Sequence, residues 1–357
     1  MTLTRYLSRL FAIRIFAVLV AMSALIELIE MLDAMRRLLG PEAHISNVLT
    51  FSILRLPLAM EQLFLLAILV GAVLAFRTLA ANSEMAILRA AGLSPYRLLR
   101  SLIPLALVLA ALNYVLVDRI APAAERAFAQ WWATVTPNGD DNDDTSPRAL
   151  WLRAGGDIVS VGSISDDARQ LTDVVIYRRD PSGKIRERVA AASANYAERQ
   201  WTLATVEILD LGEDGATAVH RDTMPWPEGP SPGNMKDIAH PTERISSTKS
   251  AEILEGDRSG ALPTAHYRTI LHKAWRSPFL PLLMILLALP SAAGGRRIGG
   301  MAKSMSVSLL MGLTYLIVDG FLSSMSESGA MPPGLAIWVT PAMFAAIGGA
   351  ILLYTEE

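Results

Sequence analysis

The chain has 357 residues, of which 52% are hydrophobic and 18% charged, against about a quarter charged in ordinary soluble domains. With a mean hydropathy of +0.35, this composition excludes a disordered, collagenous or highly solvated chain and indicates a membrane protein. A net charge of −2 removes the electrostatic reason to expect a nucleic-acid partner, and the lack of Cys excludes disulfides, zinc–thiolate and iron–sulfur ligation and cysteine nucleophiles.

The apolar residues gather at both ends of the chain and leave a polar middle over 121–267. Residues 11–32, 48–76 and 98–117 read as three spans, and 275–293, 304–322 and 335–354 as three more. Each is close to the roughly 20 residues that carry a helix across the hydrocarbon layer. Pro57, Pro104, Pro278, Pro281, Pro290 and Pro341 fall in or beside these runs, where membrane helices tolerate them. The first run has an alternative reading as a cleaved signal peptide, with a core at 15–26 and a cleavage-like Met22-Ser23-Ala24. Glu27, Glu30 and Asp33 continue its helical pattern towards Arg37, which favours a retained span.

Lys and Arg in the short loops set the expected orientation. With the N-terminus inside, the inner segments carry Arg5, Arg9, Arg14, Arg77, Arg89, Arg97, Arg100, Arg296, Arg297 and Lys303, and the outer ones only Arg36 and Arg37, ten bases against two. Both termini are therefore expected in the cytoplasm and the middle domain outside, which in a Gram-negative bacterium is the periplasm. The expected domains are 1–119 with a short helix at 82–95, then 120–268, then 269–357.

The middle domain reads as β, a small sandwich or jelly roll. Residues 151–152, 158–161, 174–177, 201–203 and 206–211 are short β-branched or aromatic stretches, separated by turn residues at 180–183 and 212–215. The acidic run 138–144 and the Pro/Gly-rich run 225–241 show no strand pattern and read as solvated loops. The fold class expected is a membrane α-helical protein of six transmembrane helices, three plus three, with an inserted periplasmic all-β, jelly-roll-like domain.

Catalytic motifs are missing. No Gly-x-x-x-x-Gly-Lys-Ser/Thr loop occurs, and 295–304 lacks both the Gly-Lys pair and a preceding strand. The five His show no metal-ligand spacing, and no nucleophile elbow is present. No catalytic residue, metal ligand or cofactor is expected on this chain.

The informative residues are charges at membrane depth, where an ionisable side chain costs about 2.5–3.5 kcal/mol unless it faces protein or water. Glu30, Asp33 and Arg37 share one stripe of the first span; Arg55 and Glu61 lie on the second. Asp118 and Arg119 close the third, Lys273 and Arg276 open the fourth, and Asp319 marks the fifth. Two readings stand for Arg36, Arg37, Arg55, Lys273 and Arg276. They snorkel to headgroups, or they rim a cavity for an anionic amphiphile, whose phosphates suit the planar fork of Arg.

A second informative segment runs from Asn82 to Pro95. Asn82 or Ser83 can cap a short helix, Met85, Leu88 and Ala91 repeat on one face, and Gly92 with Pro95 ends it. Such a helix between two spans is either an interfacial float or a lever that docks into a partner.

Nearly end to end, the chain resembles the LptF/LptG family of lipopolysaccharide-export permeases. The resemblance is carried by the three-plus-three layout around a β domain and by the segment Ser83-Glu84-Met85-Ala86-Ile87-Leu88-Arg89-Ala90-Ala91-Gly92-Leu93-Ser94. Tyr315-Leu316-Ile317-Val318-Asp319 and Met331-Pro332-Pro333 add to it, and Leu32-Asp33-x-x-Arg36-Arg37 is similar to the LptG branch. Glu30 departs from the pattern, standing where some relatives carry a base.

The resemblance implies a transmembrane subunit of an ABC transporter in the bacterial inner membrane. It would extract lipopolysaccharide and pass it through periplasmic jelly rolls towards the outer membrane. The implied partners are an LptF-like paralogue, a dimeric cytoplasmic ATPase that uses the ATP, an LptC-like bitopic protein and a periplasmic bridge protein. Ser83, Glu84, Arg89 and Gly92 would then belong to the helix coupled to the ATPase. The basic rim would hold lipid A phosphates. A membrane-anchored adhesion or sensor module without transport is the alternative, although six spans with buried charges exceed what an anchor needs.

Overall fold

All six apolar runs form helices in the computed structural model. It describes the chain other than residues 1, 39–44, 93, 136–148, 155, 166, 181–183, 198, 213–214, 228, 240–244, 257–261, 293–299 and 355–357. The acidic run 138–144 and the first half of 295–304 therefore lie outside the described residues. Among the described residues, six helical stretches are long and apolar enough to cross a membrane: Leu3–Met35, Ser46–Ala81, Tyr96–Trp132, Thr264–Ala292, Ala302–Glu327 and Pro333–Ile351.

The elements of the helical unit are α1 (Thr2–Leu38), α2 (Ile45–Ala81), the short α3 (Glu84–Ala90), α4 (Pro95–Val115) and α5 (Ala121–Val135). A π-helical turn, Leu116–Ile120, joins α4 to α5. After the β domain come α8 (Thr264–Arg276), α9 (Leu280–Ala288), α10 (Gly300–Glu327) and α11 (Pro333–Tyr354). The chain divides into two compact units, and the helical one comprises Met1–Pro137, Arg244–Ser247 and Arg268–Glu357. Helix α5 thus belongs with the helices, past the boundary expected at residue 119.

Helix α2 is the centre of this unit. Ala67, Ile68, Leu69, Ala72, Val73, Ala75, Phe76 and Leu79 are buried, and α2 is packed by α1, α9 and α10. Its antiparallel contact with α1 is close. Phe11 meets Phe76 edge-on at 4.9 Å, and a Cβ on Gly71 would fall 2.5 Å from the Ile15 backbone, so no side chain fits there. Helices α1 and α10 leave long apolar faces uncovered, including Phe16, Leu25 and Leu28 on α1 and Leu310, Ile317 and Phe321 on α10. Such faces are stable only against lipid or another subunit.

The second unit, Asn138–Glu243 with Thr248–Tyr267, is built on one antiparallel sheet. Its strands are β1 (Leu150–Ala154), β2 (Asp157–Ile164), β3 (Gln170–Arg179), β4 (Ile185–Ala197), β5 (Gln200–Gly212) and β6 (Gly215–Trp226). They pair in chain order, a meander in which every strand lies beside its sequence neighbour. Strict alternation breaks along one line across the sheet. Asp173 on β3 and Thr205 on β5 have φ of +50° and +53°, and each resets which face points inward. Leu171 and Val174, and likewise Leu203 and Val206, therefore all bury on the same side. Gly162 on β2 sits on this line, where a Cβ would come within 2.8 Å of the Asp173 side chain.

The run 225–241, read from sequence as a solvated loop, is corrected by the structure. It begins at the end of β6 and contains α6 (Pro232–Ala239), followed by α7 (Ser247–Glu255) beyond it. Trp226 and Met235 are buried in the sheet core, and the Trp201 indole donates from Nε1 to Pro230 O at 2.6 Å. Aromatic burial with a satisfied indole N–H outweighs the turn-forming composition of this stretch.

Candidate functional site

Two places collect the residues singled out by sequence, and they lie at opposite ends of the helical unit. The first is the α2–α3–α4 connection. Ser83 takes a left-handed conformation (φ +63°), and its carbonyl accepts the N–H groups of Ala86 and Ile87 at 3.1 and 3.2 Å, which starts α3 immediately after α2 stops. Gly92 at φ +75° ends the helix, a backbone geometry that suits Gly. Ser94 then caps α4, its hydroxyl accepting from Arg97 N at 3.4 Å, while the Arg97 guanidinium donates to Gly92 O.

Helix α3 is amphipathic as its spacing predicts. Met85 is buried against the core and Leu88 packs beside it, whereas Ile87 is 66% exposed. Glu84 stands in the first turn, where a carboxylate is favoured by the helix dipole. Asn82 does not use its side chain as a cap acceptor here; its amide donates to Glu84 Oε1 at 3.4 Å. The other oxygen, Oε2, accepts the Tyr6 hydroxyl of α1 at 2.7 Å. Arg89 lies on α3, but its side chain is outside the described residues.

The second place is the opposite end of the unit, where the candidate phosphate-binding bases fall. Arg36 and Arg37 are on the last turn of α1, with side chains outside the described residues. Arg55 on α2 pairs with Glu30 of α1 at 2.8 Å and lies 5.0 Å over the Phe128 ring of α5. Phe51, Trp131 and Trp132 complete an aromatic nest beside it. Lys273 of α8 pairs with Glu327 of α10 at 2.6 Å.

Arg276 of α8 is 4% exposed and binds both carboxylate oxygens of Asp319 on α10, one through Nη2 at 3.0 Å; its Nη1 also donates to Ile337 O of α11 at 3.1 Å. Beside these pairs, Asp118 in the π-helical turn is buried and accepts Ser247 N at 2.7 Å. The bases with described side chains are therefore each matched by a carboxylate. The Arg55 and Lys273 pairs remain about one-third open to solvent, while that of Arg276 is closed.

Sequence reasoning missed Tyr6 and the α5 aromatics, and did not match the acids Glu30, Asp319 and Glu327 to their bases. Phe128, Trp131, Trp132 and Val135 do stand at helical spacing, and that repeat was the available signal for the nest. No local signal marks Tyr6. Among the described residues, no group of three or more His, Cys, Asp or Glu is placed to share a metal ion.

Comparison with known proteins bears on this arrangement directly. The family model for the lipopolysaccharide export system permease LptF/LptG matches residues 5–354, both helical halves and the β domain between them. The chain belongs to the LptF/LptG permease family. It is similar to the lipopolysaccharide export system permease protein LptG of Haemophilus influenzae, 23% identical with 93% of this chain and 92% of the relative covered. It is also similar to the LptG protein of Escherichia coli K12, 20% identical over 96% and 95% of the two chains. A multi-pass helical body with an inserted β domain is in keeping with a permease of this family.

Proposed function

We propose that this LptF/LptG family member is the LptG-like transmembrane subunit of an ABC transporter that extracts lipopolysaccharide from the inner membrane and passes it to a periplasmic bridge towards the outer membrane. The observation that carries this reading is the family match over 5–354. The LptG-named relatives, covered almost end to end, support the branch. The excess of bases at the α3 end supports a cytoplasmic location for that end and for both termini, with the β domain in the periplasm.

In this reading α3 docks into a dimeric cytoplasmic ATPase. Glu84 supplies a charge and Ile87 an exposed apolar contact, while Ser83 and Gly92 set the two sharp turns that project the helix. The chain binds no cofactor, and the ATP is used by that partner. The uncovered apolar faces of α1 and α10 suit an LptF-like paralogue across a lipid-holding cavity, with an LptC-like protein as a further neighbour. In this reading Arg36, Arg37, Arg55 and Lys273 supply positive charge for lipid A phosphates at the opposite end, while Arg276, expected among them, is buried in its pair with Asp319.

The test is purification from native membranes in mild detergent, followed by ATP hydrolysis with and without added lipopolysaccharide. Co-purification of an ATPase and a second six-span permease, with lipid-sensitive hydrolysis, is the expected result. A lone protein without associated hydrolysis overturns it and favours the anchored module.

A further inference from the structure

The hydrogen bond from Tyr6 to Glu84 joins residues 78 positions apart and ties the second turn of α1 to the first turn of α3. Helix α3 otherwise packs on α2, through Met85 and Leu88. Resting on the transport reading above, we propose that the Tyr6 hydroxyl is a positioning residue for coupling: it fixes the Glu84 carboxylate and passes movement of α3 directly to α1.

Three observations carry this. At 2.7 Å the bond is short and charge-assisted, the kind of side-chain bond that holds a rotamer best. Glu84 keeps acceptor capacity after it forms, because a carboxylate offers about four lone-pair sites and, among the described side chains, Tyr6 and Asn82 donate to it, the latter at 3.4 Å. A cation from a docking partner can therefore bind the same carboxylate without displacing Tyr6. Finally, α1 is the helix on which this link has mechanical consequence. It is gripped along α2 at Phe11–Phe76 and Ile15–Gly71, and it presents its other face uncovered. A push on α3 reaches the packed core through Met85 and Leu88, and the Tyr6 bond adds a second, direct point of action on the N-terminal end of α1.

The experiment uses Tyr6→Phe, which removes the hydroxyl and keeps the ring, in the full complex with ATPase and paralogue. Two quantities are read: lipopolysaccharide released to an acceptor per ATP hydrolysed, and amide exchange over residues 84–90. The expected result is a release per ATP about three- to tenfold below wild type, the range for the net worth of one solvent-exposed hydrogen bond, with exchange in α3 faster by a similar factor. Glu84→Ala is expected to reproduce the faster exchange, and adding Tyr6→Phe to it to change exchange no further. Wild-type release per ATP in Tyr6→Phe, unchanged exchange in α3, or an equal additional effect of Tyr6→Phe on the Glu84→Ala background would each overturn the proposal. Wild-type complex that shows no ATP-dependent release fails the transport reading, and the tie falls with it.

Discussion

Arg276 on α8 and Asp319 on α10 form a buried, two-pronged ion pair, and the same guanidinium donates to the carbonyl of Ile337 on α11. One side chain thereby joins three helices, its two partners lying 43 and 61 positions further along the chain. Removing one partner leaves the other charge buried and uncompensated, at a cost of about 3–5 kcal/mol. Arg276→Ala should lower the thermal unfolding midpoint in detergent substantially. The double variant Arg276→Met with Asp319→Leu should recover most of the loss, since an apolar pair of similar volume needs no counter-charge. An Arg276→Ala protein of wild-type stability that no longer transports would instead assign Arg276 to the lipid.

The last turn of α1 carries two bases, and in the transport reading proposed above lipid phosphate meets positive charge there. Reversing Arg36 and Arg37 to Glu should reduce photo-crosslinking of lipopolysaccharide to this end of α1 by about tenfold, through like-charge repulsion as well as lost attraction. Crosslinking at the wild-type level would mean that these side chains only reach for headgroups.

Within the β domain, Trp201 fills the closed end of the sheet and gives its indole N–H to Pro230 O. Trp201→Phe keeps an aromatic ring but leaves a buried carbonyl without its donor. The local stability of β5 and β6, read from amide exchange in denaturant, should fall by about 1–3 kcal/mol. An unchanged exchange pattern would show that 229–235 is held over the sheet by apolar contact alone.

A fourth prediction concerns pH. The turn between β2 and β3 is built on Asp167, whose Oδ1 accepts the Ser165 hydroxyl at 2.6 Å and Arg169 N at 3.1 Å. These bonds favour the charged form, the Ser165 bond most, and hold the carboxyl below the ordinary Asp range. The folded value is the lower one, so the stabilisation of the turn is fully present above the unfolded Asp value of about 3.9 and is lost as pH falls through the folded value. An NMR titration of the Asp167 carboxyl should give a midpoint below about 3.9. A midpoint at or above that value would remove the turn from the acid response of the domain.

Much of this molecule was legible without coordinates, and the limits have physical causes. The second span reads as 48–76, inside the observed Ser46–Ala81, because its summed hydropathy stays high in spite of Arg55, Glu61 and Gln62. Strands β2 and β5 were found as apolar stretches. Strand β4 was not, since Ala190 and Ala191 carry little β signal and gain their place by pairing with β3 and β5. The run 225–241 misled because Pro and Gly there report only backbone turns, while Trp226 and Met235 are buried by what lies across from them.

The sequence by itself determined the number of spans, the insertion of a β domain between them, and the short amphipathic α3 bounded by Ser83 and Gly92. Each depends on contiguous residues, so hydropathy and local backbone preference suffice. Only the tertiary structure decided what the charges do. Glu30 with Arg55, Lys273 with Glu327, Arg276 with Asp319 and Tyr6 with Glu84 are 25, 54, 43 and 78 positions apart. Helical periodicity places such a residue on a face of its own helix, and which face of another helix meets it is set by packing around α2. A base written into a span announces that a partner exists; the identity of the partner is a property of the fold.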